Sequence, residues 1–172
     1  MTNPIAEVAA LLEASGVPYA IIGAHAVNVW LEPRFTADID VTVQAGAPEL
    51  RQLQAALASR GFSVAREYGA ELPSGPDFVR FISRDSTIVV EIQAAKTDFQ
   101  REVIRRGAIE RGIRVATPED LIVLKLIANR PKDAIDLIGL ARLPAVDWTY
   151  VEHWASEWGV ADRLARLRQQ AG

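Results

Sequence analysis

Apolar positions recur along the chain in two rhythms. Over 4–15 they fall at Ile5, Val8, Leu11 and Leu12, the spacing of an amphipathic helix, and Gly16 supplies a stop. Residues 18–23 make a short, β-rich apolar run, the mark of a buried strand. Helical composition returns over 24–31, with Ala26, Val27 and Trp30 on one face, until Glu32-Pro33 ends it. A second strand is predicted over 38–43. Residues 47–60 then form an amphipathic helix with Leu50, Leu53, Ala56 and Leu57 inward, closed by Gly61. Strands follow over 62–66, 78–83 and 88–94; a loop with Pro73, Gly75 and Pro76 precedes the second, and a hairpin-like turn over 84–87 joins the last two.

The rest is mostly helical. A charged helix is predicted over 98–108 and a short extended piece over 113–116. Thr117-Pro118-Glu119-Asp120 then announces a helix over 121–129, with Thr as N-cap and Pro at the first helical position. Another is expected over 132–142, and two more beyond Pro144, broken near Gly159. The order describes an α+β core over 1–116 and a C-terminal helical region over 117–172, packed as one compact unit.

Composition narrows the class. At 172 residues with 49% hydrophobic, the chain can build a core. The N-terminus lacks the pattern of a signal peptide, and no apolar run reaches the ~18–20 residues that cross a bilayer. No membrane association is therefore expected. Without cysteine there are no disulfides and no thiolate metal sites, so a cytoplasmic address is the default. A formal charge of −3 argues against a general nucleic-acid coat protein but leaves room for a local basic groove.

Asp38 and Asp40 change the picture most. In a strand, residues i and i+2 share a face roughly 6–7 Å apart. Two carboxylates there, among aliphatics, are costly unless a cation sits between them, and Mg²⁺ is suited to one or two carboxylates plus phosphate oxygens. Gly23, ahead of a helix, permits close backbone approach and offers free N–H groups to a phosphate. Arg34 and Thr36 suit phosphate or ribose contacts. Glu91, inside an otherwise apolar strand, is the candidate third carboxylate of a phosphoryl-transfer site.

The series GA-x13-DID, the strand carboxylate and TPEDLIVLKLIANRPKDAIDL resembles the nucleotidyltransferases of the DNA polymerase β-like superfamily, most closely the bacterial group with the AbiEii-type toxins. The resemblance runs from about Pro18 to Leu140. It implies a nucleotidyltransferase-like mixed β-sheet flanked by helices, and an enzyme that moves NMP from an NTP to an acceptor hydroxyl with Mg²⁺ or Mn²⁺. By it, Gly23 and Ala24 contact the NTP phosphates, Asp38 and Asp40 hold metal, and Glu91 is the third carboxylate and general base. Lys125 contacts the triphosphate, and Lys132, Asp133 and Asp136 match a late Lys-Asp-x-x-Asp element grouped with the nucleotide site. Ala24 stands where Gly or Ser is usual, and Glu91 where Asp is more frequent. A tRNA or protein acceptor in a toxin–antitoxin setting follows from the resemblance alone, as does a cognate partner; a homodimer is equally compatible.

Plainer readings stand beside these. Asp38 and Asp40 could face solvent at a strand end, Glu91 could pair with Arg80 across a hairpin, and Lys132 with Asp136 on a helix surface. Lys125, among aliphatics, either snorkels or points into a polar site. Tyr150, Trp154 and Trp158 read first as core and second as a partner surface. Arginines 101, 105, 106, 111 and 114 read as a solvated face, or as a bed for an RNA backbone. The rival functions are a non-catalytic protein of this fold that binds a partner, and an antibiotic nucleotidyltransferase.

Overall fold

The computed structural model describes residues 4–73, 75–85 and 87–172. Helix α1 (Pro4–Ser15) leads into β1 (Tyr19–Ile22), α2 (Gly23–Trp30), β2 (Asp38–Val43) and α3 (Ala47–Ser59). Strands β3 (Phe62–Tyr68), β4 (Phe78–Ser83) and β5 (Val89–Ala94) precede α4 (Asp98–Arg106), β6 (Ala108–Glu110) and β7 (Ile113–Val115). Helix α5 (Pro118–Ala128), a 3₁₀ turn (Pro131–Asp133), α6 (Ala134–Ala141), α7 (Trp148–Glu157) and α8 (Ala161–Ala171) complete the chain. One seven-stranded sheet runs β3-β4-β5-β2-β1-β7-β6. It is mixed, because β2 pairs parallel with β5 and β1 with β7 while the other pairs are antiparallel. The expected mixed sheet flanked by helices is what forms.

Period-2 alternation decides the two faces. Ile39, Val41 and Val43 of β2, Val90, Ile92 and Ala94 of β5, and Val79 and Phe81 of β4 are buried together, each large side chain contributing about 1.5–3 kcal/mol. Helix α3 lies on that side: its Gln54 hydrogen-bonds Glu67, which is paired with Val79. The other face carries Asp38, Asp40, Glu91 and Arg80, aligned because Asp40 stands opposite Glu91 and Glu91 opposite Arg80.

Three expectations shift. Ala108–Glu110 is a strand rather than the end of a helix: Gly107 closes α4, and Arg111 and Gly112, both with positive φ, make the tight turn of a β6–β7 hairpin. Arg-Gly is a weaker turn signal than Asn-Gly, so the pattern alone missed it. Strand β3 runs on to Tyr68, and the helix expected from 132 begins as a 3₁₀ turn. Ser86, in the anticipated hairpin turn, lies outside the described residues.

The helical region is tied on by buried acids. Thr117 and Asp120 form a capping box at the start of α5. Asp120, fully buried, also accepts from the Tyr150 hydroxyl at 2.6 Å, and Glu119 accepts from the Asp147 N–H at 3.0 Å. Arg106 reaches both acids and lies 3.9 Å over the Tyr150 ring. Phe99 stacks on Trp154 at 5.0 Å, so most of the aromatic stripe is packing, with Trp158 left 40% exposed. Arg101 and Arg105 pair locally with Asp98 and Glu102 on the solvent side of α4. Tyr150→Phe removes a donor from a buried carboxylate; it is expected to cost about 1–3 kcal/mol, seen as a lower urea midpoint at unchanged m-value.

Candidate active site

All eleven residues singled out from the sequence, Asp133 among them, line two adjoining cavities over the open sheet face. One, of about 540 Å³, holds Ala24, Arg34, Thr36, Asp38, Lys132 and Asp136; the other, of about 320 Å³, holds Gly23; Asp40, Glu91 and Lys125 belong to both. The larger is polar. The smaller adds Ile22, Phe78, Leu121 and Leu124, an apolar annex.

The backbone at Gly23 is built around Asp40. Ile22 pairs with Asp40 across β1 and β2, and Gly23 turns into α2 at φ +66°. A Cβ there would overlap the Asp40 carboxylate oxygen and lie 2.8 Å from its Cγ. Only glycine tolerates both the close approach and the left-handed backbone. Helix α2 has no side-chain cap, unlike α4 and α5 with their threonines, so its first N–H groups remain available to a ligand.

Charge in the cavity is almost balanced, with one exception. Arg80 Nη1 lies 3.1 Å from Glu91 Oε1. Lys125, 3% exposed, contacts Asp133 at 2.6 Å and Asp136 at 2.9 Å. Arg130 closes on Asp133 at 2.7 Å, and Arg34 grips Asp136 through two nitrogens at 2.8 and 3.3 Å. Burial pushes Asp133 and Asp136 up, but these cations more than offset it and both sit below the ordinary carboxylate range. Asp38 and Asp40 have no cation within ion-pair distance among the described residues. Burial, then Glu91 and Asp38, push the Asp40 carboxyl up to about 7. That is the signature of crowded acids lacking a counter-charge.

Among the described residues, no three His, Cys, Asp or Glu side chains converge as a ready-made metal cage. Two unpaired strand carboxylates, with Glu91 alongside, nevertheless fit a hard divalent cation that takes its remaining ligands from water and phosphate.

The plain reading of Glu91 holds, since it pairs with Arg80; it also stands opposite Asp40. The plain reading of Lys132 does not, since Asp136 is taken by Arg34 and Lys125 while Lys132 stays exposed at the cavity rim. Sequence reasoning passed over Asn28, whose amide clamps the Arg34 backbone in both directions at 2.6 and 3.1 Å. It also passed over Arg130, which lines both cavities. Arg130 stood inside the Arg-Pro-Lys-Asp segment, but its approach to the carboxylates needs the turn after α5.

Comparison with known proteins agrees with this geometry. A family described as "nucleotidyltransferase of unknown function" (DUF6036) matches residues 4–165, and the chain belongs to it. No curated protein sequence matches. Among solved structures, the antibiotic-resistance factor ANT(2'')-Ia in solution superposes with a TM-score of 0.62 at 17% identity, covering 95% of this chain and 92% of that one. An antigenic nucleotidyltransferase-like protein from Paracoccidioides brasiliensis gives 0.60 at 20% identity, with 97% and 86% covered. The lincosamide antibiotic adenylyltransferase LnuA gives 0.57 at 14%, with 78% and 92% covered. At such identities these neighbours share the fold.

Two outcomes follow for the variants. Gly23→Ala is expected to displace Asp40 and abolish metal-dependent nucleotide binding by calorimetry. The folded chain holds a proton on Asp40 between about pH 4 and about 7, where an unfolded aspartate has released it. The stability contribution of Asp40 is therefore lost as pH rises through that window. Asp40→Asn should accordingly gain on wild type between pH 5 and pH 8 without divalent cation, by about 2–4 °C in melting temperature per kcal/mol relieved, read by scanning calorimetry.

Proposed function

We propose that this member of the nucleotidyltransferase family is a metal-dependent enzyme that transfers NMP from an NTP to an acceptor hydroxyl. The observation that carries the reading is the uncompensated pair Asp38 and Asp40, beside Glu91 in a cavity whose other acids are all matched by cations. Asp38, Asp40 and Glu91 would hold Mg²⁺ or Mn²⁺, which when bound neutralises phosphate charge and makes the α-phosphorus more electrophilic.

The chain's own residues do the rest. The N–H groups at Gly23 and Ala24 take phosphate oxygens at the α2 N-terminus. Arg34, fixed by Asn28 and Asp136, and the exposed Lys132 supply positive charge along the triphosphate, with Thr36 beside them. Lys125, buried between Asp133 and Asp136, holds the floor of the site beneath the triphosphate. Glu91 takes the proton of the acceptor hydroxyl as its oxygen bonds to the α-phosphorus; the bond to pyrophosphate breaks, and pyrophosphate leaves with its electron pair. Most of the acceleration comes from positioning.

The motif likeness to AbiEii-type toxins favours a tRNA end or a protein hydroxyl as acceptor, in a toxin–antitoxin setting with a cognate partner. A second reading, an antibiotic acceptor, draws on the fold neighbours that act on antibiotics. The described residues include no helix long and apolar enough to cross a membrane, and an NTP-consuming enzyme belongs in the cytoplasm.

Asp38→Ala or Asp40→Ala should eliminate Mg²⁺-dependent NTP binding in calorimetry and lower kcat at least about 100-fold, since even groups one step removed from a metal cost 10–100-fold. Unchanged NTP binding in the double variant would sink the proposal and favour the non-catalytic rival. Incubation with α-labelled NTPs and total RNA, cell protein or antibiotics identifies the acceptor by which fraction carries label.

A further inference from the structure

A single irregularity in β3 re-aims two side chains toward the site. From Phe62 to Val64 the pairing with β4 is regular, with Val64 opposite Phe81; a β-bulge follows, after which Arg66 stands opposite Arg80 and Tyr68 opposite Phe78. Without the extra residue, Ala65 would face Arg80 and Glu67 would face Phe78. The bulge thus moves Arg66 and Tyr68 onto the sheet face that carries Asp40 and Glu91, a common use of bulges beside active sites. Two rows now run outward from the cavity, Glu91–Arg80–Arg66 and Gln93–Phe78–Tyr68.

This surface combines rings with unmatched positive charge. Tyr68, 50% exposed, packs against Phe78 with centroids 5.8 Å apart, and the Arg66 guanidinium lies 5.3 Å from the Tyr68 ring. The Arg80 side chain is 43% exposed. Two arginines directly opposite on neighbouring strands destabilise a sheet. Glu91 compensates Arg80, whereas Arg66 has no carboxylate partner among the described residues. Asp77, at the edge, pairs with Lys96 at 3.4 Å. Helix α3 meets β3 on the opposite face, and on this one Arg66, Tyr68 and Arg80 remain accessible beside the carboxylates.

We propose that the open face of β3 and β4 is a docking track for a single-stranded nucleic-acid acceptor. Its bases stack on Tyr68 and Phe78, its phosphates lie against Arg66 and Arg80, and its terminal hydroxyl is led to Asp40 and Glu91. The inference rests on the nucleotidyl-transfer reading and extends it by naming the acceptor and the surface that receives it. Arginine plus aromatic rings on a sheet face is how sequence-tolerant single-strand binding is built. The α4 arginines, engaged with their own acids, are not needed for it.

Fluorescence anisotropy with labelled single-stranded RNA, single-stranded DNA and duplex RNA tests the track without catalysis. Wild type should bind at least one single strand and prefer it to duplex. Tyr68→Ala should weaken binding roughly 10-fold and Tyr68→Trp should restore it. Arg66→Gln should reduce the slope of log affinity against log salt by about 0.7. Both Tyr68→Ala and Arg66→Gln should bind Mg²⁺-NTP as wild type does, which also certifies their folding. Asp40→Asn should lose NTP binding yet keep the nucleic acid, so the two readings fail separately. No single-strand binding by wild type, equal affinity for duplex, or wild-type affinity in Tyr68→Ala would overturn the track. Label appearing only on protein or on an antibiotic would do the same.

Discussion

Asp38 and Asp40 share a sheet face with no cation at ion-pair distance among the described residues, and much of the surrounding architecture is arranged around that imbalance. Their strand lies between β1 and β5, so Asp40 meets Ile22 on one side and Glu91 on the other. The first contact forces a glycine at position 23, since any side chain would collide with the carboxylate. The second brings a third acid beside it, and burial first, then Glu91, raise the Asp40 carboxyl to about 7. A stable fold gains nothing from such crowding; a site meant to receive a divalent cation and a polyphosphate does.

The contrast with the rest of the cavity sharpens the point. Asp133 and Asp136 are more deeply buried, yet each is bridged by two cations, and their carboxyls fall below the ordinary range. Their network joins α5, the 3₁₀ turn and α6 to the segment holding Arg34. It therefore works as a brace between the helical region and the sheet, with Lys125 at its centre. Removing one member would leave a buried charge unmatched, a costly outcome. The same cavity thus contains an ionic cluster whose charges are matched and a carboxylate pair whose charges are not.

The chain belongs to a nucleotidyltransferase family, and neighbours with little sequence in common share its sheet and helices. Around the carboxylates lie the apolar annex and the bulged β3–β4 face.

Much of this was legible in the chain itself. Period-2 and 3.6 patterns mark nearly all the elements, because burial on one face imposes them. Gly23, Asp38, Asp40 and Glu91 stand out because each breaks the pattern of its element: a glycine at a helix start, and acids among buried aliphatics. Lys125 and Asp136 were visible as candidates, but their mutual pairing was not, because i,i+11 contacts depend on how a turn folds back. The β6–β7 hairpin hid behind an Arg-Gly turn of weak local signal. Asn28 and Arg130 look like ordinary surface residues until helix packing and the turn after α5 bring them to the site. Local chemistry, then, was determined by the sequence, since a side chain's polarity against its neighbours can be read in one dimension. Which charges neutralise one another, and which pair is left bare, was decided only by tertiary structure, because electrostatic balance depends on distances between residues far apart in the chain.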